Sequence, residues 1–271
     1  VSQFCLTESQ FLELKQVADE QNIMIFSSAI SEDWVPFLAQ HTELIKIASG
    51  DLTFRPVIES VAKTSKQAIL STGCGNDQEI SQAIKWFKDA TTNNDISNQL
   101  YLMHCVSAYP TPMEEANILS IPYLRETFGL QVGYSNHVIG IDAPLAAVAL
   151  GARVIECHFT DQKHGREFRD HALSLEWQDL IEFRKRAENI IRSMGFFGKK
   201  VMDCEKDNRN IIRKGLMAAK DIKAGQIIST NDIAFARPAT GFSSDQFNAI
   251  VGKKISTDIK KGYPFTPSHF G

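Results

Sequence analysis

Two histidines stand just after two consecutive predicted strands, and each follows a polar residue that could also bind a ligand. His137 comes two residues after Ser135, and His158 comes two residues after Glu156. The Ala-rich segment 144–150 begins at a proline and is followed by a glycine, which predicts a helix between the two strands. Parallel strands joined by a helix bring their carboxyl ends to one side of a sheet or barrel, so we expect the two imidazoles to lie near each other.

Two neutral imidazoles at that place could hold one divalent metal ion and leave coordination positions open for a substrate. A histidine near a strand end is more often a hydrogen-bonded polar residue, and the chain contains no closely spaced metal motif such as HExxH. Residue types and spacing therefore leave both interpretations open, a metal site and a pair of structural histidines.

The composition argues against several classes of partner. The chain has 271 residues, of which 43% are hydrophobic and 23% charged, as is ordinary for a globular protein in water. A net charge of −3 gives no reason to expect nucleic acid or an anionic membrane as partner, and no apolar run reaches the roughly 18 residues that span a bilayer. The five cysteines fit neither a disulfide framework nor a zinc pattern. Since no signal-peptide pattern follows Val1, we expect free thiols and a cytoplasmic location.

Short apolar segments alternate with amphipathic ones through the larger part of the chain. The predicted strands, each followed by small polar residues, are 23–26, 44–48, 67–70, 100–103, 131–135 and 153–155. Helices are predicted after Thr7, at 33–40, 56–62, 79–90, 113–128 and 144–150, and between a Ser174 cap and Gly195. This alternation predicts a parallel sheet, and the polar strand ends favour most of a (β/α)8 barrel whose site lies at those ends. An open doubly wound sheet is the alternative, but no GxGxxG motif follows any strand.

The composition changes towards the carboxyl terminus. We assign residues 1–197 to a (β/α) catalytic domain, 198–213 to a charged linker, and 214–271 to a small β-rich domain in which short strand-like runs alternate with turns. A domain of that size is near the lower limit for an independent hydrophobic core. We therefore expect it to need a partner surface.

Several motifs together resemble one family. The motifs KIASGD, LSTG, HCVSAYPTP, GYSNHVIG, ALGARVIECHFT and DHALSL occur in this order and resemble the sialic acid (N-acetylneuraminate) synthase family. The segments AAKDIKAGQIISTNDIAFARPATGF and IVGKKISTDIKKGYPFT resemble the antifreeze-protein-like SAF domain that ends those enzymes. The resemblance implies a (β/α)8 TIM-type barrel followed by a small SAF domain. It also implies a transferase that joins phosphoenolpyruvate to an N-acylated amino sugar.

The resemblance assigns roles to residues of the barrel. Substrate-binding positions of the family are matched by Lys46, Ser49, Ser71, Ser107, Tyr109, Ser135 and Glu156. Lys46 supplies a cation for phosphoenolpyruvate, and serine hydroxyls hydrogen-bond its phosphate and carboxylate oxygens. Glu156 is a carboxylate near the sugar. Lys46 and Glu156 are therefore the candidate catalytic residues.

A metal site and an assembly are implied in the same way. His137 and His158 match the two ligands of a divalent metal, Mn²⁺ or Mg²⁺ in the family, which polarises the aldehyde of the open-chain sugar. Arg237 matches an SAF-domain arginine that reaches the sugar bound by a neighbouring subunit. We therefore expect a domain-swapped homodimer in which Arg237 also binds substrate.

The sequence departs from the family pattern at three places. Cys157 stands where lysine is common, and Asn136 stands where aspartate is common, but neither is a proposed ligand. The GxNHxG and KFQ regions, which carry a glutamate and a phosphoenolpyruvate-binding lysine on the family's first two strands, have no counterpart in this sequence. We therefore expect a barrel that lacks its first two strands and begins in the helix before the third.

Two hypotheses of function follow. In the first, the protein condenses phosphoenolpyruvate with N-acetylmannosamine or a related sugar to give a nine-carbon 2-keto acid and phosphate. In the second, it is a truncated, catalytically impaired binding or assembly module of the same fold. An unrelated (β/α)8 aldolase is a third hypothesis, against which the SAF-like segment argues. The sequence leaves the sugar open among N-acetylmannosamine, diacetylated bacillosamine-derived sugars and spore-coat precursors.

Overall fold

The computed structural model of the protein describes residues 6–168 and 170–271. The chain divides into two compact units, Val1–Gly195 and Phe196–Gly271. Within the described parts of the chain, no helix combines the length and apolarity needed to cross a membrane.

A parallel sheet of five strands forms the centre of the first unit. Its strands are β1 (Leu44–Ile47), β2 (Gln67–Ser71), β3 (Leu100–Cys105), β4 (Gln131–Asn136) and β5 (Ile155–Cys157). They lie side by side in chain order, and every neighbouring pair is parallel. Helices connect consecutive strands, so all carboxyl ends lie at one edge, as a half barrel requires. The predicted α/β fold is confirmed.

Helices cover one face of this sheet. They are α1 (Glu8–Glu20), α2 (Val35–His41), α3 (Arg55–Lys63), α4 (Asp77–Ala90), α5 (Ser120–Phe128), α6 (Asp142–Ala149), α7 (Asp170–Leu173) and α8 (Trp177–Met194). Local chemistry sets their starts: Thr7 caps α1 and Asn76 caps α4, each in a reciprocal pair with the residue three positions later. Proline in the first turn suits α3, because its missing amide would have no partner there.

The two faces of the sheet differ in chemistry because side chains alternate along a strand. Ile45, Leu70, Leu102 and Val132 are fully or almost fully buried in the apolar core against the helices. The opposite face lines a cavity of about 580 Å³, whose walls include Lys46, Ile69, Met103 and Glu156. Two of the predicted site residues, Lys46 and Glu156, therefore lie on the concave face.

The prediction of a strand at residues 23–26 is wrong, because the structure has no strand there. Among the described residues, pairing on that side of β1 is limited to an isolated parallel bridge between Ser28 and Lys46, with the Ala29 amide donating to the Lys46 carbonyl at 2.9 Å. The apolar run suggested a buried strand, but Ile23 and Met24 are 62% and 67% exposed. Ile25 packs against the core, but exposed apolar side chains such as Ile23 and Met24 gain nothing from strand formation.

Three boundaries also differ from prediction. The last strand lies two residues later than predicted, and the predicted helix 113–128 consists of a short 3₁₀ turn, Met113–Glu115, followed by α5. Ser174 does not cap α8, because its hydroxyl donates to the Asp170 carbonyl at 2.6 Å. Glu176 caps that helix instead, paired with Asp179.

The second unit contains a small antiparallel pair, β6 (Gly215–Ala218) with β7 (Ile233–Ala236). Its own apolar core includes Leu216, Ile228 and Phe265. The segment predicted as a linker contains the helix α9 (Lys206–Ile212), and a last short helix, α10, covers Phe247–Ile250. The β-rich character predicted for this region is confirmed.

Candidate active site

The carboxyl ends of the parallel strands carry most of the predicted site residues. Lys46 lies on β1, Ser71 ends β2, Ser135 lies on β4 and Glu156 lies on β5. In the sheet register Ser135 stands opposite Glu156 on one side and Cys105 on the other. These side chains therefore share one rim and one face.

An ion pair joins the first and last strands of the sheet. Lys46 Nζ lies 3.1 Å from Glu156 Oε1, with 17% and 37% of the two side chains exposed. The second carboxylate oxygen, Oε2, is buried and has no hydrogen-bond partner among the described residues. A buried carboxylate oxygen without a donor is costly, so a ligand that offers a hydroxyl or a water would stabilise it.

The two predicted metal ligands are brought together. The rings of His137 and His158 have centroids 5.3 Å apart and lie at 68° to each other. Nδ1 of His137 is 2.7 Å from the Val106 carbonyl, which requires a proton on Nδ1 and leaves Nε2 as the lone-pair nitrogen. Nδ1 of His158 lies 3.8 Å from Asp170 Oδ2, on the corresponding side of its ring. An acceptor at Nδ1 is the usual way in which proteins orient a metal-binding imidazole.

Burial keeps His137 in the form that a metal requires. Its side chain is 5% exposed, and burial, together with the charges of His158 and Lys46, lowers its pKa, while the Val106 carbonyl and Glu156 act in the opposite sense. Across the described chain, no group of three or more His, Cys, Asp or Glu side chains could hold an ion. A metal ion bound by these two imidazoles alone would have its remaining coordination positions open to water or substrate.

Tyr109 packs on both imidazoles. Its ring centroid lies 4.2 Å from that of His137 and 5.8 Å from that of His158. The loop that carries it is fixed by Thr111, whose amide donates to the His137 carbonyl at 2.9 Å and whose hydroxyl donates to the Ala108 carbonyl at 2.9 Å. The position after β3 therefore places an aromatic ring directly over the histidine pair.

Hydroxyl groups gather beside Gly73. Ser49 Oγ accepts from the Gly73 amide at 3.1 Å and contacts Cys105 Sγ at 3.1 Å. A side-chain carbon at position 73 would collide with Ser49, Cys105 and Ser107, so this close approach requires glycine. Ser71 is 2% exposed, and its Oγ has no hydrogen-bond partner in the described residues. Together they form a polar cradle beside Gly73, at the carboxyl ends of β1, β2 and β3.

Arg237 lies in the second unit, directly after β7. It is exposed, and its Nε donates to the Ile212 carbonyl at 2.5 Å. Its predicted contact with a sugar bound by a neighbouring subunit stays a prediction.

Three contributors to the site were not predicted: the Val106 carbonyl, the Asp170 carboxylate and the Cys105 thiol. The first is backbone, which no residue pattern marks, and the second lies in the DHALSL motif, in which no ligand was predicted. Position 105 follows His104, which faces the opposite way: its Nε2 lies 2.9 Å from the Ala116 carbonyl and its ring stacks on Tyr134. Strand alternation therefore turns Cys105 towards the site, and that signal was available in the sequence.

Comparison with known proteins decides the family. Residues 1–199 match the NeuB family, and residues 213–271 match the SAF domain. The chain belongs to the NeuB family. Its relatives in that family include the N,N'-diacetyllegionaminic acid synthase of Campylobacter jejuni, 38% identical over 92% of this chain and 74% of the relative.

Two solved structures agree with this membership. The N-acetylneuraminic acid synthetase of Leptospira borgpetersenii, crystallised with citrate, is 30% identical and has a TM-score of 0.69. The match covers 75% of this chain and 69% of the Leptospira chain. The spore coat polysaccharide biosynthesis protein E of Chromobacterium violaceum has a TM-score of 0.82, and the match covers 98% of this chain and 79% of the Chromobacterium chain. At 23% identity it supports the fold alone. The NeuB-family match, the Campylobacter relative and the Leptospira structure favour the synthase hypothesis over the binding or assembly module.

Proposed function

We propose that this NeuB-family protein condenses phosphoenolpyruvate with an N-acylated amino sugar and releases a nine-carbon 2-keto acid and phosphate. One observation carries the proposal: the Lys46–Glu156 ion pair and the His137–His158 imidazole pair lie at the same rim, formed by the carboxyl ends of the strands. Diacetylated amino sugars are the first acceptors to test, because the Campylobacter relative is named for a diacetylated product.

Phosphoenolpyruvate would bind at the cradle beside Gly73. Lys46 supplies the positive charge, and Ser49, Ser71 and Ser135 supply hydroxyl donors on the same face. The hydroxyl of Ser71 supports this role, because it is buried without a partner among the residues described. Hydrogen bonds to an ionised group are shorter and stronger than neutral ones, so an anion gains most from such a cradle.

The sugar would lie on the Glu156 side of the rim, near Ser107 and Tyr109. Glu156 Oε2 is a buried acceptor that a sugar hydroxyl or a water molecule would satisfy. Tyr109 offers an aromatic surface beside the imidazoles. A carboxylate that already accepts one charged hydrogen bond from Lys46 is well placed to take a proton from a water molecule held at its other oxygen.

His137 and His158 would hold a divalent metal ion, which supplies Lewis-acid polarisation of the sugar aldehyde. The donor set favours Mn²⁺ over Mg²⁺, because imidazole nitrogens suit transition metals whereas Mg²⁺ prefers oxygen ligands. The Val106 carbonyl would keep Nδ1 of His137 engaged, and the Asp170 carboxylate, 3.8 Å from Nδ1 of His158, would favour the same orientation of the second ring, so that both rings present Nε2.

In the proposed reaction, the electron pair of the C2=C3 double bond of phosphoenolpyruvate forms a bond from C3 to the aldehyde carbon of the open-chain sugar. The π pair of the aldehyde moves to its oxygen, which takes up a proton, and C2 is left electron-poor. Water adds at C2 and loses a proton, and phosphate leaves from C2 as the 2-keto group forms. Lys46 and the serines hold the phosphate throughout, and Glu156 receives the proton from water. Tyr109 shields the reacting carbons from bulk solvent.

We also propose a homodimer in which Arg237 of one chain binds the sugar held by the other. The support is its exposed position after β7 and the planar, multi-donor guanidinium, which suits a carboxylate or a polyhydroxylated ligand.

The direct test is phosphate release from phosphoenolpyruvate with a panel of N-acylated amino sugars, in the presence of Mn²⁺ or Mg²⁺. The expected result is release that depends on one sugar of the panel and on added metal, and that is lost in Lys46→Met. Lys88→Met, an exposed lysine on α4, is the matched control. Sugar-independent hydrolysis, or equal rates in both variants, would contradict the proposal.

A further inference from the structure

One thiol in the candidate active site has no role in the proposed reaction. Cys105 ends β3, is 6% exposed, and faces the concave side of the sheet. Its Sγ lies 3.1 Å from Ser49 Oγ, which in turn lies 3.1 Å from the Gly73 amide nitrogen. The three groups come from three different strand ends, so the fold and not the local sequence brings them together.

The hydrogen bonds available to Ser49 depend on whether the Cys105 thiol donates to Ser49 Oγ or accepts from it. A serine hydroxyl has one proton to donate and two lone pairs with which to accept. The Gly73 amide uses one lone pair. If the hydroxyl donates to Sγ, then Ser49 has no proton left for a ligand. If the thiol donates instead, both lone pairs are used and the hydroxyl proton is available to an anion in the cradle.

The surroundings decide between these arrangements. Burial raises the pKa of the Cys105 thiol, and the contacts with Ser49, Gly73 and Lys46 oppose that rise without reversing it. The sulfur therefore keeps its proton and can donate. An anion in the cradle accepts a stronger, charge-assisted hydrogen bond from the Ser49 hydroxyl than the thiol sulfur would, so a bound anion favours the S–H to Oγ direction.

We propose that Cys105 is a positioning residue for substrate binding: its S–H donates to Ser49 Oγ and thereby directs the Ser49 O–H towards the anionic group of phosphoenolpyruvate. This inference rests on the proposed function, because it assigns Ser49 to that substrate. It adds a specificity element, since the serine would then act on an anion as a donor only.

The test is a double-mutant cycle on phosphoenolpyruvate affinity, measured by calorimetry with Cys105→Ala, Ser49→Ala and the double variant. Losing one donor from a hydrogen-bonded cradle weakens binding by about three- to ten-fold, and we expect this for Cys105→Ala. In the Ser49→Ala background the same change should have no further effect, because Cys105 acts through Ser49. Cys105→Ser keeps a donor at nearly the same place and should stay within about two-fold of the unmutated chain.

The controls separate positioning from packing. Cys204→Ala removes an exposed thiol from the second unit and should change nothing. The KM for the sugar should not move in Cys105→Ala, whereas a general loss of packing would change both substrates. If Cys105→Ala fails to fold, then Cys105→Val, which removes the S–H donor but fills the space of the thiol, takes its place in the cycle and should weaken phosphoenolpyruvate binding in the same way.

Equal affinity of Cys105→Ala and the unmutated chain would overturn the inference, as would full additivity of the two alanine changes. Failure of the unmutated chain to bind phosphoenolpyruvate is a different result. It would overturn the proposed function, and this inference with it.

Discussion

Lys46 and Glu156 lie on the first and last strands of a five-stranded sheet, yet their charged atoms are 3.1 Å apart. In a flat sheet, four strand spacings would separate the two strands by about 19 Å, more than the two side chains can bridge. The short distance between them therefore shows that the sheet is curved, as in a half barrel. Lys46 is also the residue that would bind phosphoenolpyruvate in the proposed function, so Glu156 and phosphoenolpyruvate would compete for it.

The first prediction follows from that competition. Glu156→Gln removes the carboxylate that pairs with Lys46, so phosphoenolpyruvate should bind as tightly as before or more tightly, while turnover falls by about a hundred-fold or more through loss of the base. Calorimetry and phosphate release measure the two effects separately. Glu59→Gln, which breaks an exposed pair with Arg55, is the control and should change neither. Weaker phosphoenolpyruvate binding in Glu156→Gln would show that the two do not compete for Lys46.

The second prediction concerns the metal. Replacing His137 or His158 by Ala leaves one protein ligand, so Mn²⁺ binding measured by calorimetry should be abolished in either variant. His164→Ala removes an exposed histidine from the loop after β5 and should bind Mn²⁺ as the unmutated chain does. Unchanged Mn²⁺ affinity in both His137→Ala and His158→Ala would contradict the proposed metal site.

The third prediction concerns pH and stability. Burial lowers the pKa of His104, and the hydrogen bond to Ala116 only partly opposes this. Between that lowered value and the ordinary value of about 6.5, the unfolded chain binds more protons than the folded one. His104 therefore contributes stability that is fully present above about pH 6.5 and decreases as the pH falls through that window.

His104→Gln should flatten this dependence. Urea unfolding followed by tryptophan fluorescence is suited to the measurement, because Trp34, Trp86 and Trp177 all lie in the first unit. The free energy of unfolding of the variant should vary less between about pH 5 and pH 7.5 than that of the unmutated chain. Identical pH profiles would show that the buried ring does not change its proton affinity on folding.

The fourth prediction concerns the start of α4. Asn76 accepts from the amides of Gln78 and Glu79, both at 3.0 Å, and its own amide donates to Glu79 Oε2 at 2.9 Å. Asn76→Ala should lower the free energy of unfolding by about 1 kcal/mol, the usual cost of losing such a cap. Asn94→Ala, on an exposed loop, should have no comparable effect in the same unfolding experiment.

Local chemistry explains which parts of this fold were predictable. The cap at Thr7 follows from residue types within a few positions and was predicted correctly. The predicted ends of the strands 67–70 and 131–135 rest on the same kind of local signal and lie within one residue of the ends of β2 and β4. The segment 23–26 was not predicted correctly, because whether an apolar run becomes a strand depends on a distant partner. The same holds for the site: the two imidazoles followed from one βαβ unit, whereas the Lys46–Glu156 contact depends on the curvature of the whole sheet.

The last prediction concerns Arg237 and assembly. In the proposed homodimer its guanidinium binds the sugar held by the other chain, so Arg237→Ala should raise the KM for the sugar by about ten-fold, as expected for a charged hydrogen bond, and leave phosphoenolpyruvate affinity unchanged. Arg237 also donates to Ile212, so the variant must be compared with one that disturbs the same region. Arg213→Ala, the exposed arginine directly after α9, provides that comparison and should keep the sugar KM. Light scattering at micromolar concentration should give the mass of a dimer for all three proteins. A monomer, or a rise in the KM for both substrates together, would contradict a sugar contact made across subunits.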